Sequence, residues 1–426
     1  MPIPFAHPLS IVDKAQTLWP ASRLHELQFL GQQAAQLDMG LYLVGGVLRD
    51  LFLGRVGLDW DLALEGDLQE FLEPLQNQHG YGAEKSSPFF TLRLLGPENR
   101  WDLARCRGES YAQPAALPTV YPADLITDLR RRDFRINAMA MDLHPNRFGT
   151  LLDPYDGRRD LADQILEVLH HRSFRDDPTR ILRGLRFSLR FDMDLGPLAK
   201  TCKDQVLADG IFALLSGTRL FRELQYLLHL PQPHQSLERF CAWGLGLLLP
   251  ALHAPDPRLW QALQRLSILQ QRWREDFPLD PLSSWLAVLM LLCFFSTPEE
   301  RERHWQHWQW NPPAAWRRDL FALPAAAPPS SAARTARYWR PWTPEGILVA
   351  LALGDESMGS SAWHYWKIQR RMRLPVDGKI LQDWGIPPGP ALGKALEMLQ
   401  DARWNGEIHD QHEAYHWLKT KGLLHR

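Results

Sequence analysis

The sequence predicts an α+β fold, with a small mixed β-sheet and helices over residues 1–170 and a mostly helical chain after them. Two observations predict this class. Short β-type runs alternate with helical stretches in the first part and nearly disappear from about Asp177 onward. Leu, Ala, Gln and Arg then recur at helical spacing, interrupted by Pro and Gly. With 426 residues, the chain has room for about two to four packed units.

The elements of the first part follow from short apolar patterns. Five runs predict strands and one stretch predicts a helix; the strands are Leu41–Val44, Leu62–Leu64, Thr91–Leu95, Trp101–Ala104 and Ala138–Leu143, and the helix is Leu68–Gln78. The longest apolar stretch, Trp285–Phe295, is short for a membrane span and predicts a buried helix. We expect no membrane association, and the N-terminal residues show no signal-peptide pattern.

Two features mark the helical part. The Pro/Ala/Ser-rich stretch Asn311–Glu345 is typical of a linker or a loose helical connection. Eight of the eighteen tryptophans lie between Trp305 and Trp366. Their rings could stack on bases or fill the space between helices, and the second role is the more common for aromatic residues at this spacing.

Charge and cysteine content exclude several classes of protein. The 48 Lys and Arg residues nearly balance the 49 Asp and Glu residues, which argues against a uniformly basic coat but leaves room for a local basic groove. From Trp101 to Arg190 there are fifteen arginines and no lysine, a choice that favours bidentate recognition of anions. The four cysteines form no CxxC pair, so we expect neither a zinc ribbon nor a secreted disulfide framework, and a reducing cytoplasm fits best.

A glycine pair after the first predicted strand is a candidate phosphate site. Gly45 and Gly46 lack side chains, so backbone N–H groups can approach an anion, and Arg49 follows one turn later. The alternative is an ordinary strand-to-helix turn that needs glycine.

Asp59 and Asp61 are the candidate metal ligands. At spacing i, i+2 at the start of an apolar strand, both carboxylates point to the same face, while Leu58, Trp60 and Leu62 face the core. Paired carboxylates suit Mg²⁺, and a two-metal site can activate a hydroxyl and stabilise departing pyrophosphate. The alternative is a pair of solvated acids at a strand end.

Four motifs follow one another along the chain: GGVLRD with LDWDL (Gly45–Asp50 and Leu58–Leu62), RRDFRINAMA (Arg131–Ala140), DPYDGRRDL (Asp153–Leu161) and DDPTRILRGLRF (Asp176–Phe187). Together they resemble the motifs of the class II tRNA nucleotidyltransferase and bacterial poly(A) polymerase superfamily. The chain departs from that pattern at Arg135, where the family usually has Thr, and at Asp176, where Glu is more frequent. A weaker similarity to the family's tail signature lies at Val376–Leu396, with Ile380 in place of the usual acid.

The resemblance implies a head domain at 1–170, neck helices at 171–235, a helical body at 236–345 and a tRNA-binding tail at 346–426. It also implies that four residues of the second motif contact the nucleotide or shape its pocket; these are Arg131, Arg132, Asp133 and Asn137. Asp50 positions Arg49, contacts ribose or, as an acid on a helix face, does neither. Asp153 and Asp160 are expected to organise the hinge between head and helices.

The fourth motif also has a physical interpretation. On a helix, Asp177 and Arg180 are i, i+3 neighbours that present an acceptor beside a donor fork. Adenine and cytosine offer the complementary amine and ring nitrogen, whereas guanine and uracil offer a carbonyl beside an N–H, so the pair would accept ATP and CTP. The alternative is a plain salt bridge. Arg183 and Arg186 continue the spacing and could bind the triphosphate.

The sequence therefore predicts template-independent, Mg²⁺-dependent transfer of AMP from ATP to the 3′ end of tRNA, with two Mg²⁺ ions. The Pro/Gly-containing segment Ala104–Asp128 resembles a loop of family members that add A, and Glu167 replaces a commonly basic residue. CMP transfer from CTP and the oligomeric state stay open. A poly(A) polymerase acting on general RNA ends is the main alternative, and a non-catalytic RNA-binding protein would have no use for the acidic and templating residues together.

Overall fold

The computed structural model describes residues 9–57, 59–87, 91–323, 331–354 and 356–424. The chain forms two compact units, Met1–Glu223 and Leu224–Arg426. The described strands all lie in the first unit and the second is helical, which confirms the α+β class. The four-domain division stays a prediction.

All five strands expected from the sequence are present. The observed strands are β1 Gly40–Val44, β2 Asp61–Glu65, β3 Gly82–Ser87, β4 Thr91–Leu95, β5 Arg100–Arg105, β6 Arg107–Ser110, β7 Thr119–Pro122, β8 Ala140–Asp142, β9 Leu151–Leu152, β10 Ile165–Leu166 and β11 Asp194–Leu195.

Seven of the described strands form one mixed sheet in the order β3-β4-β5-β2-β1-β8-β9. The β2–β5 pair is parallel, with Asp61 opposite Asp102, and the other neighbours run antiparallel. β1 and β2 carry apolar residues such as Leu43 and Leu62, and both of these side chains are buried. The register brings the end of β1, where Gly45 follows, beside the start of β2.

The described α-helices that begin in the first unit precede, separate and follow its strands, and the last of them crosses the boundary at Glu223. They are α1 Val12–Leu18, α2 Ala21–Gln36, α3 Gly46–Phe52, α4 Leu68–His79, α5 Leu125–Arg130, α6 Gly157–Ala162, α7 Ser173–Asp176, α8 Thr179–Phe191, α9 Pro197–Ala208 and α10 Gly217–Leu228. The expected helix Leu68–Gln78 corresponds to α4, which Asp67 caps by accepting from the backbone N–H of Gln69.

The second unit is built from helices. They are α11 Pro233–Ala242, α12 Pro250–His253, α13 Pro257–Asp276, α14 Ser284–Phe294, α15 Pro298–Trp308, α16 Ala314–Phe321, α17 Ala332–Trp339, α18 Pro344–Leu353, α19 Glu356–Lys367, α20 Gly378–Asp383, α21 Pro390–Trp404 and α22 Gln411–Thr420. The expected buried helix at 285–295 corresponds to α14, whose residues Ala287–Cys293 are buried. Among the described residues no helix is long and apolar enough to span a membrane.

The tryptophan-rich segment packs inside the second unit. Six of its eight tryptophans are buried, among them Trp316 and Trp339, and their rings meet neighbouring rings edge-on or tilted. The helix-packing interpretation is therefore the one that the structure supports. The Pro/Ala/Ser-rich stretch contains α16 and α17 rather than an extended linker, although its residues 324–330 lie outside the described ranges.

Candidate active site

A polar pocket of about 840 Å³ opens in the first unit. Nine arginines and seven acidic residues line it, so its wall carries a formal excess of two positive charges. It brings together every candidate for metal or nucleotide binding from the sequence analysis except Asp50; these are Gly45, Gly46, Arg49, Asp59, Asp61, Arg131, Arg132, Asp133, Asn137, Asp177, Arg180, Arg183 and Arg186. Residues more than 140 positions apart in sequence thus share one cavity.

The Gly45–Gly46 turn leaves room for a ligand because of its backbone. Gly45 precedes α3 with φ +81°, a conformation that other residues rarely adopt. A Cβ atom there would lie 3.0 Å from Nη1 of Arg132 and 3.3 Å from Oδ2 of Asp61. Any side chain at position 45 would therefore press between the guanidinium and the carboxylate.

Asp59 and Asp61 both face the pocket, but they differ in position and burial. Asp61 is the first residue of β2 and half-buried, whereas Asp59 precedes the strand and is exposed. Trp60 and Leu62 point into the core as expected, while Leu58 lies outside the described residues. Burial raises the pKa of Asp61 to about 6, and neighbouring Asp102 and Asp59 add to the rise, against the pull of Arg132.

The acidic residues of the pocket suit a divalent cation for which the protein supplies only some of the ligands. Like charges at Asp59, Asp61 and Asp102 favour a bound cation, although Arg93 pairs with Asp102 at 3.2 Å and the charge of Arg132 acts on Asp61. Among the described residues, however, no three acidic, His or Cys side chains are grouped closely enough to hold a metal ion. The carboxylates can therefore supply part of an octahedral shell, with phosphate oxygens and water as the remaining ligands of Mg²⁺.

Asp50 does not line the pocket, but it pairs with Arg49, which does. The Nε and Nη2 atoms of Arg49 donate to Oδ1 of Asp50 at 2.9 and 2.8 Å, and its Nη1 donates to Oδ1 of Asn137 at 2.8 Å. The guanidinium also lies over the ring of Phe191, 4.6 Å from its centroid. Of the alternatives open for Asp50, the geometry supports positioning of Arg49.

Arg131 and Arg132 share one buried carboxylate that the sequence analysis did not identify. Asp128 accepts from Nη2 of Arg131 at 2.7 Å and from Nη2 of Arg132 at 3.0 Å. Burial would raise the pKa of Asp128, but the two guanidinium groups hold it below its usual value. Arg131 also donates to Glu109 of β6 at 2.8 Å, so the hairpin and the second motif are joined.

Asp133 holds two other candidate residues in place. Its Oδ2 atom pairs with Nη2 of Arg183 at 2.8 Å, and its Oδ1 atom accepts from Nδ2 of Asn137 at 3.0 Å. Burial opposes ionisation, yet Arg183 and Asn137 lower the pKa of Asp133 to about 2. The carboxylate is therefore engaged within the protein, and we assign it to shaping the pocket.

The Asp177–Arg180 pair does not lie on one continuous helix, which corrects the expected i, i+3 geometry. α7 ends at Asp176, Asp177 is extended, and α8 begins at Thr179 after Pro178. The break follows from Pro178, which disfavours helical backbone in the residue before it. Both side chains nevertheless line the pocket.

Each member of that pair is braced by other groups. Oδ1 of Asp177 accepts from the backbone N–H of Thr179 at 3.0 Å and from Nη2 of Arg219 at 2.9 Å. The guanidinium of Arg180 donates to Oγ of Ser173 at 2.9 Å and to the carbonyl oxygen of Arg131 at 2.7 Å. Such bracing limits the rotamers of both side chains before a nucleotide arrives.

Arg219 and Tyr111 are further pocket-region residues that the sequence analysis missed. Arg219 on α10 donates to the carbonyl oxygen of Ala115 at 2.9 Å as well as to Asp177, so it links the 104–128 segment to the acid. Tyr111 lines the pocket and donates to Oε2 of Glu109 at 2.8 Å. The 104–128 segment itself contains an antiparallel hairpin, β6–β7, rather than only a loop.

The third motif organises local backbone and contributes nothing to the pocket lining. Asp153 accepts from the backbone N–H groups of Gly157 and Arg158 at 2.7 and 2.9 Å and so fixes the start of α6. Asp160 on α6 is buried, and its Oδ2 atom has no hydrogen-bond partner among the described residues. Burial raises the pKa of Asp160 to about 6, against the pull of Arg135, and Glu167 adds to the rise.

Comparisons with known proteins agree with this site. Residues 41–167 match a family model described as the poly A polymerase head domain. The chain is 37% identical to an A-adding tRNA nucleotidyltransferase of Halalkalibacterium halodurans, over 97% of this chain and 96% of that protein. It is 32% identical to a CC-adding tRNA nucleotidyltransferase of Deinococcus radiodurans, over 88% of each chain.

Solved structures show the same fold. A CCA-adding enzyme in an apo form superposes with a TM-score of 0.85 at 26% identity and covers 98% of this chain and 100% of its own. A complex of a CCA-adding enzyme with CTP gives 0.81 at 26% identity, over 98% and 99% of the two chains. The Thermotoga maritima CCA-adding enzyme complexed with tRNA gives 0.78 at 25% identity, over 98% and 100%.

Proposed function

The chain belongs to the tRNA nucleotidyltransferase family, and from this premise we propose that it transfers AMP from ATP to the 3′ end of tRNA and releases pyrophosphate. One observation carries the proposal: the candidate metal-binding carboxylates Asp59 and Asp61, the arginine-rich wall and the Asp177–Arg180 pair line the same pocket. A binding protein has no need to combine these three features. An enzyme that aligns a hydroxyl, a triphosphate and a base needs all of them.

The arginines would hold the triphosphate. Arg49 is oriented by Asp50, and Arg132 lies beside the open backbone of Gly45, where a Cβ atom would approach its Nη1 atom to 3.0 Å. Guanidinium groups bind phosphate oxygens bidentately, and the missing side chain lets oxygens approach the backbone. Arg183 and Arg186 extend the basic wall, although Arg183 pairs with Asp133 and Arg186 with Glu223 at 3.0 Å.

Asp59 and Asp61 would hold Mg²⁺ and place the terminal ribose hydroxyl of tRNA against the α-phosphate. Bound Mg²⁺ would lower the pKa of that hydroxyl and offset charge on the departing pyrophosphate. The half-buried position of Asp61 and its raised pKa fit a carboxylate whose charge is neutralised in the working enzyme. Exposed Asp59 would contribute its oxygens at the open side of the site.

Asp177 and Arg180 would select the base. The carboxylate accepts from an exocyclic amine, and the guanidinium donates to the neighbouring ring nitrogen, so adenine satisfies both groups. Guanine would set its carbonyl against the carboxylate and its N–H against the guanidinium, which leaves both protein groups unpaired. Cytosine presents the same order as adenine, so this pair alone does not exclude CTP.

AMP is the proposed product because two features favour it over CMP. The 37% identity to an A-adding enzyme spans nearly the whole chain, and the β6–β7 hairpin with its connection occupies the segment whose sequence resembles A-adding members. The helices after about Gly210 would bind tRNA through its backbone and A-form shape.

The test is incorporation of each of the four labelled nucleoside triphosphates into tRNA that ends in CC, with Mg²⁺ present. We expect one A per tRNA, weak or no C, and no G or U. An Asp59→Asn protein serves as the inactive control. Failure of the wild-type chain to add A to this tRNA would refute the proposed function.

A further inference from the structure

An aromatic cluster lies on the core side of the segments that carry the acidic residues. It consists of Trp19, Trp60 and Trp101, all buried. Trp19 meets Trp60 edge-on with centroids 4.9 Å apart, and Trp60 meets Trp101 in the same way at 5.7 Å. Buried ring pairs of this geometry hold each other in defined orientations.

A single guanidinium contacts two of these rings. Arg23 of α2 places its Cζ atom 4.6 Å from the centroid of Trp60 and 5.3 Å from that of Trp101. Its Nη1 atom is buried and has no hydrogen-bond partner among the described residues. Burial lowers the pKa of Arg23, and the charge of Glu26 opposes that decrease. Arg23 is half-buried, and partial desolvation of a cation over ring faces strengthens the cation–π attraction.

The clamped rings belong to residues adjacent to the pocket carboxylates. Trp60 lies between Asp59 and Asp61, and Trp101 directly precedes Asp102. The backbone N–H of Asp102 donates to the carbonyl oxygen of Trp60 at 3.1 Å, so the two segments are also joined by their backbones. Asp59 lies before β2, whose strand pairing begins at Asp61. The anchored Trp60 side chain therefore restrains the backbone from which Asp59 projects.

We propose that Arg23 is a positioning residue that clamps Trp60 and Trp101 and thereby sets the metal-binding geometry of Asp59 and Asp61. The inference rests on the proposed function for the role of the two carboxylates. Arg23 lies outside residues 41–167, the range that matches the head-domain family model. Its loss would let the Asp59–Asp61 segment move relative to β5 and so weaken metal binding.

The test compares Arg23→Met and Arg23→Lys with the wild-type full-length chain. Met keeps much of the length and removes the charge, whereas Lys keeps a cation over the rings. The matched control is Lys14→Met, because Lys14 is an exposed cation over the ring of Phe52, at 5.6 Å, and Phe52 adjoins no acidic residue. Binding of Mn²⁺ without nucleotide, followed by electron paramagnetic resonance, is measured beside the Mg²⁺ dependence of AMP transfer and the melting temperature.

We expect Arg23→Met to weaken Mn²⁺ binding and raise the Mg²⁺ concentration for half-maximal transfer by about tenfold, as lost outer-shell support does at other metal sites. Arg23→Lys should recover part of both effects, and Lys14→Met should change neither. Wild-type metal affinity in Arg23→Met, with only a lower melting temperature, would overturn the proposal. If Arg23→Met does not fold, Arg23→Gln, which keeps a polar side chain without the charge, replaces it, and wild-type Mn²⁺ affinity in that variant has the same meaning. Mn²⁺ binding without AMP transfer by the wild-type chain would instead count against the proposed function.

Discussion

Asp61 and Asp59 have different environments, but both should be required for AMP transfer if they bind the same metal ions. Asp61 is half-buried with a pKa raised by burial, whereas Asp59 is exposed at the mouth of the same pocket. We predict that Asp59→Asn or Asp61→Asn lowers AMP transfer at least a thousandfold, since metal-bound groups supply several kcal/mol of transition-state stabilisation, about 1.4 kcal/mol per factor of ten. Single-turnover incorporation measures this.

Affinity for tRNA should stay within about twofold in the same variants, because neither carboxylate attracts an anionic backbone. A filter-binding titration gives this control. Retention of more than about a tenth of wild-type transfer by either variant would contradict the metal assignment.

The choice of base should depend on Arg219, although only Asp177 and Arg180 are proposed to contact the base. Arg219 donates to Asp177 at 2.9 Å and to the carbonyl oxygen of Ala115 at 2.9 Å. We predict that Arg219→Met lowers the preference for ATP over GTP by about tenfold, because Asp177 loses the charged donor that orients it. Asp177→Ala should lower that preference further.

The ratio of kcat/KM values for ATP and GTP on tRNA ending in CC measures the effect. Arg147→Met is a suitable control, since Arg147 pairs with Asp142 at 2.7 Å and does not line the pocket. Equal selectivity in wild type, Arg219→Met and Asp177→Ala would rule out base selection at Asp177.

Asp160 should destabilise the folded protein at neutral pH. Its folded-state pKa is raised to about 6 from a usual 3.8, so the folded chain keeps a proton that the unfolded chain has already lost between these values. Stability due to this group therefore falls as the pH rises from about 4 to about 6. We predict that Asp160→Asn is more stable than wild type by up to about 2 kcal/mol at pH 7 and about equal at pH 4.

Urea unfolding of both proteins at several pH values tests this prediction. We expect the difference in unfolding free energy between the two proteins to grow across the same pH window and to be constant above it. A less stable Asp160→Asn at pH 7 would show that the ionised carboxylate has a partner that outweighs its burial.

At the scale of elements, Glu167 explains one departure from the family pattern. Its carboxylate accepts from the backbone N–H groups of Leu198 and Ala199 at 3.1 and 2.7 Å, in the first turn of α9. We predict that Glu167→Lys destabilises the chain by about 2 to 3 kcal/mol, because it removes a buried cap and places a cation near the positive end of the helix. Glu167→Gln should cost less. Thermal unfolding compares the two, and equal losses would exclude the charge effect.

The sequence predicted elements wherever local pattern decides them. The five expected strands and α4 are present because alternation and helical spacing reflect burial on one face. The β6–β7 hairpin was not expected, since its residues alternate weakly, and the bond from Arg131 to Glu109 of β6 comes from a distant part of the sequence. The helix break before α8 was likewise missed, although Pro178 was a visible signal.

Site residues within motifs were predictable, and their partners were not. Asp128 is the exception among the partners, because it pairs with Arg131 and Arg132 at the local spacings i, i+3 and i, i+4. Asp102 reaches the site through strand register, and Arg219 reaches it through a long-range ion pair with Asp177. No local sequence pattern identifies partners that are distant in sequence. Acidic residues and arginines elsewhere in the chain form ordinary surface pairs, as Arg258 and Asp256 do.

At the scale of the whole molecule, the formal charge of −1 conceals a basic pocket wall with nine arginines against seven acidic residues. A nucleic-acid substrate therefore has to be attracted by local patches rather than by the overall charge. The second unit is mostly a packed helical array whose tryptophans are largely buried. Recognition of tRNA there would depend on backbone contacts more than on stacking, with affinity that falls as salt rises.

The most direct test of the central claim is incorporation of labelled nucleotides, with Mg²⁺, into three RNAs: tRNA that ends in CC, tRNA without its 3′ triplet, and an unstructured oligonucleotide. We predict one A on the first RNA and little growth of the other two. Growth of the second RNA by CCA would mean a complete CCA-adding enzyme. Long tails on the third RNA would contradict the account, because the protein would then be a poly(A) polymerase without preference for tRNA.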